Sequence, residues 1–299
     1  MEGRCFHHAD RETGRSCTRC DRPACADCLT PAPVGSHCWQ CLKAARPPVR
    51  ERARRWNART NLFVTHLVIA ANLTVFVLGL LDGASAVGDR GGSLFGGVES
   101  IHRRLALYGP AVEGGDWYRL VTSGFVHYGL LHLGLNMVVL HQLGGLLEPV
   151  LGRVRLAALY TAALLSGSFG AVLLRPEAHT AGASGAVFGL LGAAAVGLHL
   201  RGANVWRTPI GTLVVVNVLM TFALPGISIG GHLGGLAGGA LVGAVMLREP
   251  ATRASILRGA AAAGLVAAVA VGGALATTRE GEEEARSRAT EPVTAVSPP

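Results

Sequence analysis

After Cys41 the chain of 299 residues has no cysteine, so nothing beyond its first segment depends on a disulfide. Charge is scarce as well: Asp, Glu, Lys and Arg make up 15% of residues and aromatics 5%, while half are hydrophobic. A chain this apolar, with positive mean hydropathy, is excluded as a single soluble globule. An apolar leader is missing too. The start is polar and Cys/His-rich, so no cleavable signal peptide is expected. Near-absence of ionisable residues within the apolar runs argues against a transporter, which places such groups along its pathway. Net charge is +8, but the basic residues gather in short segments beside the apolar runs. That distribution reads as membrane topology, and no nucleic-acid partner is expected.

What is present is a series of uncharged runs near the ~20 residues that cross a ~30 Å hydrocarbon core. Seven are predicted, at about 61–81, 121–147, 156–174, 183–200, 210–224, 227–247 and 259–276. The Glu148-Pro149 pair is expected to close the second. Glycine is 41 of 299 residues, about twice the usual share of roughly 7%, and implies helices packed backbone to backbone. Basic segments at 43–60, Arg153/Arg155, Arg201/Arg207 and 248–258 alternate with less basic loops. The N-terminus is therefore expected in the cytoplasm and, after seven spans, the C-terminus outside. The tail from Thr277, with Glu282-Glu283-Glu284 and a Pro-rich end, reads as disordered.

Residues 1–42 carry Cys5-x2-His8, Cys17-x2-Cys20, Cys25-x2-Cys28 and Cys38-x2-Cys41, enough donors for two tetrahedral Zn²⁺ sites. The simplest pairing interleaves them. Cys5, His8, Cys25 and Cys28 would take one ion, and Cys17, Cys20, Cys38 and Cys41 the other. His7 could replace His8, and His37 could replace Cys38. An odd number of cysteines in close Cys-x2-Cys pairs suits a metal better than a disulfide framework. The spacing resembles a B-box or a similar cross-braced zinc finger, although its second half departs from the His-rich ending. Such a module needs its metal to fold and offers a surface for a protein partner.

Three polar motifs fall at the outward ends of spans in this topology. Ser184 sits in Gly182-Ala183-Ser184-Gly185, at the start of the fourth span. His232 lies in the sixth among Gly230, Gly231, Gly234, Gly235, Gly238 and Gly239, which leave no bulk to hold a partner helix away. His127, His132 and Asn136 cluster in the second. A serine hydroxyl needs a base to accept its proton, and His232 is the base available. His132 and Asn136, four apart on one helical face, can both donate to an oxyanion, with the Ser184 N–H as a third donor. His127 supports this group or anchors a loop. No Asp or Glu lies in the outer halves of spans two, four or six, so a dyad is expected rather than a triad, with Asp116 or Glu177 of the outer loops the only alternatives.

Residues about 61–250 resemble the rhomboid intramembrane serine proteases. The resemblance rests on Gly182-Ala183-Ser184-Gly185, His232-x2-Gly235 and His132-x3-Asn136, with Tyr118-Arg119 matching the aromatic-Arg pair of the family's first loop. Glu148 matches a structural acid near the inner end of the second span. Phe188 stands where the family often has Tyr, and its ring can still pack on His232. The resemblance implies an all-α polytopic membrane protein with a six-helix core, one added C-terminal span, and the zinc module in front. The implied domains are 1–42, a basic linker 43–60, a protease core 61–250, a seventh span 251–276 and a tail 277–299. It also implies a Ser184–His232 dyad, with His132, Asn136 and Gly182 at the oxyanion and substrate side. Catalysis would need no cofactor. The substrates would be transmembrane segments in the bilayer of the plasma membrane, cut near their outer ends. The competing expectation is an inactive relative that binds or escorts membrane proteins, a role that loss of Ser184 or His232 would favour.

Overall fold

The computed structural model describes residues 3–32, 35–45, 62–82, 101–249 and 252–290, with side chains as far as Thr277. The linker expected at 43–60 lies largely outside them. The chain divides into two compact units, Met1–Asn57 and Ala58–Pro299.

The first unit has two short antiparallel hairpins and one helix. Strand β1 (Gly3–Arg4) pairs with β2 (Glu12–Thr13), and β3 (Leu29–Pro31) pairs with β4 (Ser36–Cys38) before helix α1 (Trp39–Ala44). Its buried cluster is Cys5, Ala24, Cys25 and Cys28, with Phe6 and Leu29 packed against it. That is too little apolar surface to fold a domain this small without a metal or another staple.

The second unit is helical: α2 (Phe63–Leu81), α3 (Leu130–Leu151), α4 (Arg153–Leu174), α5 (Ser184–His199), α6 (Pro209–Ala223), α7 (Ile229–Leu247) and α8 (Arg253–Thr290). Five of them, α2, α3, α4, α7 and α8 over Arg253–Thr277, are long and apolar enough to cross a membrane. The protein is thus a multi-pass membrane protein. Helices α5 and α6 are apolar but shorter. The apolar window of α4 is 72% buried against 28% for α2 and 22% for α8, so α4 is central and the other two peripheral.

Three boundaries differ from expectation. The second span does not begin near 121; short turns at Arg119–Thr122 and Ser123–Phe125 precede α3. Here the Ser168 hydroxyl donates to the Leu120 carbonyl (2.7 Å) and Thr122 Oγ1 to that of Leu105 (2.9 Å), tying this segment to its neighbours. Nor does Pro149 close α3. The helix runs on to Leu151 and ends at Gly152, whose φ of +75° is open to glycine. Finally, the segment after Thr277 is helical to Thr290 rather than disordered. Residues 291–299 lie outside the described chain.

Two polar anchors hold the apolar helices in place. Glu148 is buried inside α3 and accepts from the N–H groups of Val64 (2.9 Å) and Thr65 (3.0 Å) and from the Thr65 hydroxyl (2.7 Å). A carboxylate thereby caps the N-terminus of α2, where the free N–H groups and the helix dipole both favour it. Arg119 bonds Asp116 through Nε (2.9 Å) and the carbonyls of Arg103 and Ala106 through Nη1, pinning the loop between α2 and α3.

Candidate active site

Ser184 is the first residue of α5. The approach to it depends on Gly182, whose φ is +125° and whose N–H donates to the Ser123 carbonyl (2.9 Å). A Cβ at Gly182 would stand 2.8 Å from the His132 ring and 3.7 Å from Ser184 Oγ. The imidazole of His132 and the Ser184 hydroxyl therefore border the same small space. The next N–H, of Ala183, donates to His127 Nε2 (3.3 Å). His127 thus anchors the loop that delivers Ser184.

His232 occupies the first turn of α7, which Ser228 caps by accepting from Gly231 N–H (3.1 Å). The glycines of α7 set its position. A Cβ at Gly235 would lie 1.9 Å from the Gly185 carbonyl, and one at Gly239 would lie 2.1 Å from that of Gly189. On another side of α7, a Cβ at Gly230 would lie 2.0 Å from the Gly170 carbonyl of α4. Backbone meets backbone on both sides, as small-residue helix packing requires. The site of a Cβ at Gly185 is 3.2 Å from the Gly231 carbonyl, so Ser184 and His232 adjoin residues in direct contact. The Phe188 ring stacks on His232 at 4.0 Å and 20°.

The proton positions follow from hydrogen bonding. Thr221 Oγ1, on α6 and 2% exposed, is 2.7 Å from the Asn217 carbonyl and 2.7 Å from His232 Nδ1. A carbonyl only accepts, so the single hydroxyl proton goes to Asn217 and Oγ1 must accept from His232 Nδ1–H. Nε2 then carries the lone pair, the form a general base needs. His132 is the opposite case. Its Nδ1 accepts from the Tyr128 N–H (3.4 Å), which leaves the proton on Nε2, beside Gly182. Asn136 spends one amide N–H on the His132 carbonyl (2.9 Å) and keeps a second. Among the described residues Ser184 N–H has no acceptor, as expected for the first turn of a helix.

The two outer-loop acids are engaged elsewhere. Asp116 pairs with Arg119, and Glu177 accepts from the Tyr108 hydroxyl (3.3 Å). Tyr108 in turn stacks on His179 at 4.3 Å, and burial, followed by Arg103 and Arg119, holds the His179 imidazolium pKa below its usual range. Two contributors escaped the sequence reading. Thr221 and the Tyr128 N–H left no signal, because their roles arise from a helix-turn-helix approach and a backbone atom. His127 was noticed, but its partner, a backbone N–H in a distant loop, was not legible.

In the first unit two ligand clusters form, Cys5/His8/Cys25/Cys28 and Cys17/Cys20/Cys38/Cys41, each with all ligand atoms within 4.8 Å of one another. The interleaved pairing is the one present, with His8 and Cys38 in the clusters. His7 instead packs on Trp39 (5.7 Å), and His37 pairs with Thr30 in the hairpin. Tetrahedral bonds of ~2.3 Å to sulfur and ~2.0 Å to nitrogen would place sulfurs about 3.8 Å apart and nitrogen about 3.5 Å from sulfur. Cys20 and Cys38 sulfurs are 3.9 Å apart, and His8 Nδ1 is 3.4 Å from the sulfurs of both Cys25 and Cys28. The first spacing is far too long for a disulfide of ~2.05 Å. Cys38 N–H donates to Cys17 Sγ (3.2 Å), a contact that favours the thiolate. The His8 contact, ahead of an opposing effect of burial, draws the Cys25 thiol pKa below its usual value. Both clusters can hold a metal ion.

Comparison with known proteins bears on the helical unit. The rhomboid domain matches residues 114–249, which include Ser184, His232, His132 and Asn136. The chain is 31% identical over 186 residues to rhomboid protease GluP of Bacillus subtilis (strain 168), covering 61% of this chain and 34% of GluP. RHOMBOID-like protein 5 of Arabidopsis thaliana is 34% identical over 160 residues, 51% of this chain and 52% of that protein. The chain thus spans a third to a half of these relatives. For the rhomboid-type protein YdcA of Bacillus subtilis (strain 168), 31% identity over 150 residues covers 49% of this chain and 75% of YdcA. With three quarters of that relative matched and the rhomboid domain laid over the helices just described, the chain belongs to the rhomboid family.

Proposed function

We propose that the protein is an intramembrane serine endopeptidase that cuts transmembrane segments of other membrane proteins near their outer ends. The observation that supports this reading is that Ser184 starts a helix whose next residue, Gly185, packs on Gly231, the neighbour of a histidine whose Nδ1 proton is committed to Thr221. Ser184 Oγ attacks the scissile carbonyl carbon while its proton passes to His232 Nε2. The oxyanion accepts from His132 Nε2–H and Ser184 N–H, with the second amide N–H of Asn136 in support. Collapse breaks the C–N bond, and His232 returns its proton to the leaving amine. Water then attacks the Ser184 ester, again losing a proton to His232, and releases a carboxylate and the free serine. No metal takes part in these steps.

The first unit is a B-box-like module holding two structural Zn²⁺ ions. Four protein ligands on each ion leave no open position for an activated water. Its function is to stay folded and to present a surface to a protein partner. The protein resides in the plasma membrane, N-terminus in the cytoplasm and C-terminus outside, as its basic loops favour.

Labelling of the purified protein with a fluorophosphonate probe tests the central reading. Wild type should be labelled, and Ser184→Ala and His232→Ala should not. An unlabelled but correctly inserted wild type would assign the chain to the silent, client-binding relatives instead.

A further inference from the structure

At the opposite end of the bundle from Ser184, one buried cation has no partner among the described residues. Arg155 lies in the first turn of α4 and is 3% exposed. Its Nε and Nη2 are closed off from solvent, and its guanidinium makes no hydrogen bond among the described residues. A buried guanidinium left unpaired is costly, and a charge in that position ordinarily has a counter-charge or an ordered ligand. Neighbouring Arg153 is not in the same condition, because it lies over the Phe63 ring at 4.9 Å.

Arg155 lines a half-open cavity of about 360 Å³ where α3, α5 and α7 end and α4 begins. Arg201 and Arg248 line the same cavity, and Val150, Leu200 and Leu247 form its apolar wall. Glu249 is the one acid on the lining, and its carboxylate is already paired with Arg258. Arg201 has only a long 3.4 Å bond to the Gly197 carbonyl. Among the described residues, no C-terminal carbonyl of these three helices accepts from Arg155. Three arginines thus line one space, and the single acid among its lining residues is already paired.

We propose that this cavity is a phosphate-binding site, and that its ligand is the headgroup phosphate of an anionic phospholipid. Planar guanidinium groups bind phosphate oxygens in pairs, with charge-assisted hydrogen bonds stronger than those to water. A basic pocket between membrane helices is a recurrent way of holding such a headgroup. The source is a lipid because the wall continues into an apolar surface. Leu146 and Val150 on α3 and Val154 on α4 are 44%, 47% and 53% exposed, a strip against which acyl chains can lie. Helix α5 separates the cavity from Ser184 by its 16 residues, about 24 Å at 1.5 Å per residue, so this site does not depend on the reading of the active site.

The full-length protein, delipidated in neutral detergent, should be titrated with phosphatidylglycerol, with phosphatidylcholine and with inorganic phosphate. Retained lipid is read by native mass spectrometry and affinity by thermal shift. Wild type should retain one phosphatidylglycerol and bind it about tenfold or more tightly than phosphatidylcholine, a difference of ~1.4 kcal/mol. Arg155→Gln should lose that preference. Arg201→Gln/Arg248→Gln, which leaves the buried position intact, should weaken it in the same direction, while Arg207→Gln, outside the cavity, should not. If inorganic phosphate binds as tightly as phosphatidylglycerol and displaces it, the phosphate site stands and its source is soluble. If Arg155→Gln does not fold, the double variant decides. Equal binding of both lipids by wild type, or unchanged preference in the variants, overturns the proposal.

Discussion

The hydroxyl of Thr221 has one proton and two neighbours at 2.7 Å, and that arithmetic determines which nitrogen of His232 is basic. Replacing Thr221 by Val removes the acceptor for Nδ1–H and frees the ring to adopt either tautomer. The expected result is about a tenfold fall in kcat with KM little changed, the scale of one lost hydrogen bond of ~1 kcal/mol or slightly more. Thr221→Ser should restore most of the rate, a recovery that a packing role for the threonine methyl would not produce. Ser184→Ala and His232→Ala should each remove cleavage, and the double variant should be no worse than either, because the two act as a unit. Asn136→Ala should be milder, ~10²–10³ in rate for one oxyanion donor. At this scale the proposed catalytic side chains stand out in the sequence because serine and histidine are uncommon inside apolar helices. Their supporting partners were not, since Thr221 looks like any hydroxyl bonding back to its own helix.

Between helices, the glycines of α7 all have atoms within 4 Å of their Cβ positions whereas Gly134 of α3 has none, and substitution should separate the two cases. A Cβ on Gly235 would stand 1.9 Å from the Gly185 carbonyl, an atom of the backbone that carries Ser184 and cannot swing aside. Gly235→Ala should push α5 from α7, lower the thermal midpoint in detergent by the equivalent of about 1–3 kcal/mol, and cost activity beyond that loss. Gly134, on α3, has nothing within 4 Å of its Cβ position. Gly134→Ala should be neutral or stabilising by up to ~1 kcal/mol, the helix-propensity difference. The sequence showed that the helices pack closely, from glycine content alone. It did not show which glycine meets which helix, because spacing along one helix says nothing about the neighbour's register. The ends of the elements were less legible still. Pro149 looks like a terminator, but it stands only three residues before the Gly152 that ends α3, and the acidic run after Thr277 reads as a tail although the helix continues to Thr290.

For the whole molecule, Met1–Asn57 and Ala58–Pro299 are separate compact units, and both candidate metal clusters lie in the first. The division was legible from the abrupt end of cysteine at residue 41, and the ligand pairing from its repeated x2 spacing. Removing residues 1–45 should leave peptidase activity of the membrane unit on a model substrate intact, and an inactive but inserted product would show that the two units are coupled. Reporters fused after Pro299 and at residue 45 should read as extracytoplasmic and cytoplasmic; a cytoplasmic C-terminus would remove one span from the seven. Metal content should be about two Zn²⁺ per chain, and Cys17→Ser with Cys20→Ser should lower it by about one. The pH dependence of that binding has a definite sign. Metal ligation requires thiolates and a neutral imidazole, so protons compete with the ion and acid releases it. His8 holds the Cys25 thiol below its ordinary pKa, so the thiolate form, and the stability it contributes, is present above the unfolded value and lost as pH falls through the folded one. Zinc should therefore leave the Cys5/His8/Cys25/Cys28 cluster only on acidification, with loss of the module's near-ultraviolet dichroism in the same step. His8→Cys, which keeps four ligands but takes away the imidazole, should shift that release toward higher pH, and release at unchanged pH would remove His8 from the ligand set.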